Sequence, residues 1–221
     1  MVSTVMRSYD LVVFDWDGTV VDSTAMIAQC IRKAAGDLAI TVPTLEQASH
    51  VIGLGLADAL AAAVPELPAH RAEEFSLRYR HHYLAIESDI VLFDGIRTLL
   101  VALAESGATL AVATGKSRRG LDRAFAATGL GLLFAASRCA DETHPKPHPA
   151  MLLELTDELQ VAPDRTVMIG DTTHDLAMAQ AAGVAGIGVT YGAHPRAQLE
   201  THAPVALAAS VAELHAWLMK R

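Results

Sequence analysis

The chain has 221 residues, 52% of them hydrophobic and 19% charged, with a formal net charge of −8. That length can bury a substantial core, as one large domain or one domain carrying a smaller insertion. The acidic balance argues against nucleic acid or an anionic membrane as partner, and no apolar run approaches the ~18 residues of a membrane-spanning helix.

The opening stretch, Met1 to Tyr9, lacks the apolar segment and cleavage site of a signal peptide, so a cytoplasmic location is expected. Asp10-Leu11-Val12-Val13-Phe14 is then short, apolar and β-branched, and it stops at an acidic, glycine-containing turn. This reads as a central parallel strand, buried on both faces. From Ser23 to Phe93 the pattern is helical, and Pro43, Gly53, Gly55, Pro65 and Pro68 divide it into about four short helices with no convincing strand. It reads as an inserted cap, with linkers near Asp22 to Thr24 and Leu92 to Gly95.

Beyond it, strands and helices alternate. The predicted helices are Ile96 to Glu105, Arg118 to Thr128, Pro149 to Leu159 with Pro149 at the first helical position, and Asp175 to Ala182 closed by Gly183. The predicted strands are Thr109 to Ala113, Leu132 to Ala136, Thr166 to Ile169 and, more weakly, Ala185 to Val189. Such alternation predicts an α/β fold, a doubly wound parallel sheet of Rossmann-like form, with a core of residues 1–22 and 94–221 and a helical cap of residues 23–93. Cys30 and Cys139 have neither metal-ligand nor redox spacing and are expected to be small buried hydrophobes.

Ligands of an open parallel sheet bind beyond the carboxyl ends of its strands. Asp15 and Asp17 follow the first predicted strand, Thr114 the second, and Asp171 the fourth, while Lys146 lies in the proline-stiffened loop Thr143 to Pro149. Phosphoryl transfer needs such a set. One carboxylate attacks phosphorus, and a second protonates the leaving alkoxide and later activates water. Two residues apart on an extended chain, Asp15 and Asp17 face the same side. Magnesium takes oxygen ligands, which Asp15, the backbone carbonyl of Asp17, and Asp171 would supply. Lys146 and Thr114 would bind the phosphoryl oxygens.

The chain resembles the haloacid dehalogenase-like hydrolase superfamily, and within it the phosphoglycolate phosphatase-like group. The resemblance rests on Asp15-Trp16-Asp17-Gly18-Thr19-Val20-Val21-Asp22-Ser23, Ala113-Thr114-Gly115-Lys116, Lys146-Pro147-His148-Pro149 and Gly170-Asp171-Thr172-Thr173-His174-Asp175, in that order. It implies a magnesium-dependent phosphatase of a small phosphomonoester, acting through an aspartyl-phosphate. Asp15 would be the nucleophile, Asp17 the general acid and base, and Thr114, Gly115 and Lys146 the phosphate-binding residues. Asp15, Asp17 and Asp171 would hold Mg2+, with Asp175 behind them or orienting Lys146. A small phosphorylated metabolite is the expected partner, without nucleic acid or membrane, and the protein is expected to be a monomer or weak homodimer. Trp16 stands where Phe is commoner in the family, an expected change of packing only.

Taken singly these residues have plainer readings: an acidic turn, Thr114 as a helix cap, Lys146 as a solvated loop lysine. Their joint order at strand ends outweighs those readings. Gly115-Lys116-Ser117 ends like a P-loop, but Leu110 stands in a strand where the earlier glycine is needed. Gly53-Leu54-Gly55 reads as a cap turn that, by the resemblance, faces the site. His81, His82, Arg71, Arg78 and Arg80 read as surface residues, and His144, His148 and His174 as packing beside the site. Dehalogenation is disfavoured by the acid at Asp17, and phosphonate hydrolysis by the placement of the cap's Lys33. A sugar phosphomutase or another phosphotransferase remains an alternative. So does a phospho-accepting signalling domain, which the long insertion and Asp17 disfavour.

Overall fold

The computed structural model describes residues 9–220; Met1 to Ser8, which hold most of the stretch read above for a leader, and Arg221 lie outside the described residues. Six strands form one parallel sheet: β1 (Leu11–Phe14), β4 (Thr109–Thr114), β5 (Ala136–Cys139), β6 (Thr166–Gly170), β7 (Ala185–Val189) and β8 (Ala206–Ala208). Their spatial order is β5-β4-β1-β6-β7-β8, with every neighbour parallel. The chain runs from β1 outward to β4 and β5 on one side, then crosses back to β6 on the other side of β1, so the switch point that opens a ligand crevice lies at β1.

Alternation along the strands builds a layer on each side. Val12, Phe14, Leu110, Val112, Val167 and Ile169 face helices α5 (Ile96–Glu105), α6 (Arg118–Thr128) and α10 (Val211–Met219). Leu11, Val13, Ala111, Ala113 and Met168 face α7 (Ala150–Glu158) and α8 (Thr173–Ala181). Burial on both faces is why β1, β4 and β6 read as unbroken apolar runs. Trp16 continues the first layer, fully buried and edge-on to Phe125 at 5.3 Å between ring centroids.

Between β1 and α5 stand α1 (Thr24–Asp37), α2 (Leu45–His50), α3 (Leu56–Ala63) and α4 (Ala72–Ile86). Helix α1 buries Ile27, Ala28, Ile31, Ala34 and Ala35 at three- and four-residue spacing, against Leu60, Phe75 and Tyr83 of its neighbours. These helices share a separate hydrophobic cluster, beside the two that flank the sheet. Among the described residues no helix is long and apolar enough to cross a membrane.

Some expectations need correction. The third predicted strand is displaced: Gly131–Leu133 form a 3-10 turn, Leu132 is wholly exposed, and the strand is Ala136–Cys139. As an edge strand it is buried only at Cys139, so apolar content did not mark it. The chain segments joining the inserted helices to the core do contain strands, β2 (Val21–Asp22) and β3 (Val91–Leu92), paired antiparallel. At two residues each they are too short to show a period. Pro149 caps α7 from outside, and α8 begins at Thr173 with Thr172 as its cap.

Candidate active site

Strand register sets the rim. Phe14 lies level with Val112 of β4 and Ile169 of β6, so the residues that follow emerge together. Asp15 donates its backbone N–H to Ile169 O at 2.9 Å, which fixes it between the two neighbouring strand ends. Gly18 turns the chain at φ +83°, and a Cβ there would fall 2.1 Å from Asp171 Oδ2. The glycine thus permits both the turn and the approach of the carboxylate.

Two groups of charge result. In the deeper one, Lys146 Nζ lies 2.6 Å from Asp15 Oδ1 and 2.6 Å from Asp175 Oδ1. Asp175 Oδ2 accepts from the N–H and Oγ1 of Thr172, at 3.0 and 2.7 Å. Asp171 accepts from Thr19 Oγ1 at 3.1 Å and from the Ala193 N–H at 2.7 Å. Asp15, Asp171 and Asp175 can each offer an oxygen within 4.8 Å of the others, all three buried. Asp15 Oδ2 is buried and has no hydrogen-bond partner among the described residues.

Burial pushes the Asp15 carboxyl up to about 7; Lys146 opposes the rise, and Asp175 and Asp17 add to it. Asp171 is raised well above the usual carboxylate range, first by burial and then by Asp15 and Asp175. Burial pulls the Lys146 ammonium down, but Asp15 and Asp175 outweigh it and hold it above its ordinary value. Three carboxylates beside one ammonium leave an excess of negative charge, and Asp15 Oδ2 awaits a partner. A hard divalent cation fits that excess charge and the all-oxygen donor set.

The second group lies toward the inserted helices. Asp17 accepts from Ser23 Oγ at 2.7 Å and pairs with Lys116 Nζ at 2.9 Å. The Asp17 side chain therefore lies outside the trio, and the ligand expected from this residue was its backbone carbonyl; Asp175, expected behind the metal, offers an oxygen within the trio. Thr114 is buried and accepts from the Lys116 N–H at 3.2 Å; Ser117 caps α6, so the cap reading of Thr114 fails. A cavity of about 800 Å³ opens over these groups, lined by Asp15, Asp17, Thr114, Gly115 and Lys116. Ile27, Ile31, Leu54, Tyr79 and Tyr83 line it from the inserted helices. Lys146 lies beneath Asp15, with its side chain 0% exposed.

The loop Val51 to Gly55 closes one side of this cavity. Gly53 has φ +92°, and a Cβ on Gly115 would fall 2.4 Å from Leu54 O. Three histidines pin the loop's root. His174 Nε2 and His194 Nε2 each donate to His50 O at 3.0 Å, and His194 Nδ1 accepts the Thr173 N–H at 3.0 Å, which places its proton on Nε2. Burial lowers both imidazoles, His194 to about 4. The rings of His144 and His148 lie 4.4 Å apart, tilted by 35°, and His82 pairs with Asp37 at 2.8 Å. Of the arginines read as surface, Arg71 binds Glu74 and Leu38 O, and Arg80 lines the cavity. Sequence reasoning missed Lys116, His50 and His194 as site residues; their partners lie across the fold and leave no spacing to find.

Sheet, switch point and acidic crevice define a protein of the doubly wound α/β class with a carboxylate-lined crevice. The family model of haloacid dehalogenase-like hydrolases matches residues 12–189, and the chain belongs to that family, in its phosphoglycolate phosphatase-like group. It is 36% identical over 210 residues to a probable phosphatase, IndB, of Dickeya dadantii, covering 92% of this chain and 91% of that one. A phosphoglycolate phosphatase of Agrobacterium fabrum is 30% identical over 188 residues, covering 82% and 81%. The crystal structure of a predicted phosphoglycolate phosphatase from Haemophilus somnus superposes with a TM-score of 0.85 at 26% identity, covering 98% of this chain and 100% of that one.

Proposed function

We propose that this hydrolase, a phosphatase of phosphate monoesters, cleaves a small phosphorylated metabolite through an aspartyl-phosphate on Asp15, with Mg2+ beside Asp15 and Asp171. The observation that carries the reading is the asymmetry of Asp15: Oδ1 is held by Lys146 at 2.6 Å, while Oδ2 is buried without a partner. One oxygen is anchored and the other is left to react.

Asp15 and Asp171, with the backbone carbonyl of Asp17, would hold the cation, which neutralises phosphoryl charge when bound. Both oxygens of Asp175 are already engaged by Lys146 and Thr172, so it orients Lys146. Asp15 attacks phosphorus, and the ester oxygen leaves with a proton from Asp17. Asp17 then takes a proton from water, which releases phosphate and restores Asp15. Thr114 and Gly115, on the cavity wall, bind the phosphoryl oxygens, and Lys146 keeps Asp15 in line from below. Residues 23–93 act as a cap over a core of residues 1–22 and 94–221, hinged at the β2–β3 ribbon.

Rapid quenching with a 32P-labelled ester tests this: label should appear on wild-type protein and be absent from Asp15→Asn. Turnover by Asp15→Asn near the wild-type rate would refute the nucleophile.

A further inference from the structure

Lys116 has no part in the chemistry above, yet its ammonium sits in the cavity wall. It lies 2.9 Å from Asp17 Oδ2, donates to Tyr83 Oη of helix α4 at 2.8 Å, and stands 4.8 Å from the centre of the Tyr83 ring. An ammonium has three N–H donors, and these contacts use two. The third has no partner among the described residues, although the side chain is only 9% exposed. A desolvated donor without an acceptor is costly, so the place suits a ligand oxygen.

The neighbours say which oxygen. Asp17 has to touch the ester oxygen in order to protonate it. Lys116 holds that same carboxylate, so it stands next to the first carbons of the alcohol. We propose that Lys116 and Tyr83 form a subsite for a negatively charged group, such as a carboxylate, carried one or two carbons from the ester oxygen. This rests on the phosphatase reading and extends it to the alcohol half of the substrate. Arg80 and Arg119 line the same cavity and add positive charge to a chain whose net charge is −8. Lys116 follows β4, whereas Tyr83 comes from the inserted helices, so the subsite is whole only when the two rest together as they do here.

Phosphoglycolate and ethyl phosphate differ at this point, a carboxylate against a methyl group. Turnover of ethyl phosphate by the wild-type enzyme with magnesium tests the phosphatase reading alone. Lys116→Met should then lower kcat/KM for phosphoglycolate roughly tenfold more than for ethyl phosphate, chiefly through KM, with partial rescue in Lys116→Arg. Tyr83→Phe should shift the ratio the same way by about two- to threefold, and it carries the test if Lys116→Met fails to fold. Equal losses on both esters would overturn the subsite, because Lys116 would then act only through Asp17. A wild-type enzyme that hydrolyses ethyl phosphate without preferring phosphoglycolate would also overturn it, and would leave the phosphatase reading standing.

Discussion

On the floor of the site, Asp15, Lys146, Asp171 and Asp175 are each no more than 1% exposed, with Lys146 paired to Asp15 and Asp175, and they are placed by two neighbouring strand ends, the first turn of α8 and a loop. At the seam above, a few polar contacts join the inserted helices to the rest: His174 and His194 to one carbonyl of His50, Lys116 to Tyr83, and Arg123 to both oxygens of Glu87 at 2.8 and 3.1 Å. The floor concentrates charge in a densely bonded frame that leaves Asp15 Oδ2 without a partner among the described residues. The seam relies on a few directional contacts, which can be lost without unfolding either side. The two regions thus differ in how densely their polar contacts are linked.

The largest break of this contrast is at the floor. Asp15→Asn should reduce kcat by at least about 10³-fold with the circular dichroism spectrum unchanged. The same variant carries a pH signature in metal-free protein. Folded Asp15 keeps its proton up to about 7, whereas the unfolded chain releases it near 3.8, so wild-type stability is lost as pH rises through that window. Asp15→Asn should therefore gain in melting temperature relative to wild type from about pH 4 to pH 7, and parallel curves would contradict the raised value.

Chelation should abolish activity, and magnesium should restore it. Added magnesium should raise the melting temperature of wild type, by about 2.7 kcal/mol of stability at a hundredfold excess over Kd, and do so much less for Asp171→Asn. Full hydrolysis in excess chelator would remove the metal from the account.

Smaller effects sharpen the seam. Gly115→Ala places a Cβ 2.4 Å from Leu54 O and should push the loop outward, lowering kcat/KM about tenfold with little change in melting temperature. Unchanged kinetics would mean that the loop gives way freely. The smallest effect concerns His194, about 4 when folded against 6.5 when unfolded. Between those values only the unfolded chain takes the proton, so stability is lost as pH falls from 6.5 toward 4. His194→Asn should flatten that slope by on the order of 1–2 kcal/mol, read from melting curves across that range.

Much of the floor was legible because strand ends are legible. Runs buried on both faces marked β1, β4 and β6, and the polar residues just past them mark the rim. The edge strand β5 was misplaced by the apolar Leu132 to Phe134, which belong to a 3-10 turn and its exit. Helices α5 and α6 were read to the residue, since Gly95, Ser117 and Gly129 bound them by local chemistry. The seam was not legible. His50 and His194 are 144 positions apart, and Lys116 and Tyr83 are 33 apart, with no period to join them.

By itself, then, the sequence determined the sheet, the order of its strand ends and the carboxylates delivered there, because alternation and turn chemistry are local and repeat. Only the tertiary structure decided how those carboxylates divide, with Asp175 beside Asp15 and Asp171, and Asp17 turned to Lys116 and Ser23. Side-chain partners are chosen by packing between distant segments, and packing has no signature along the chain.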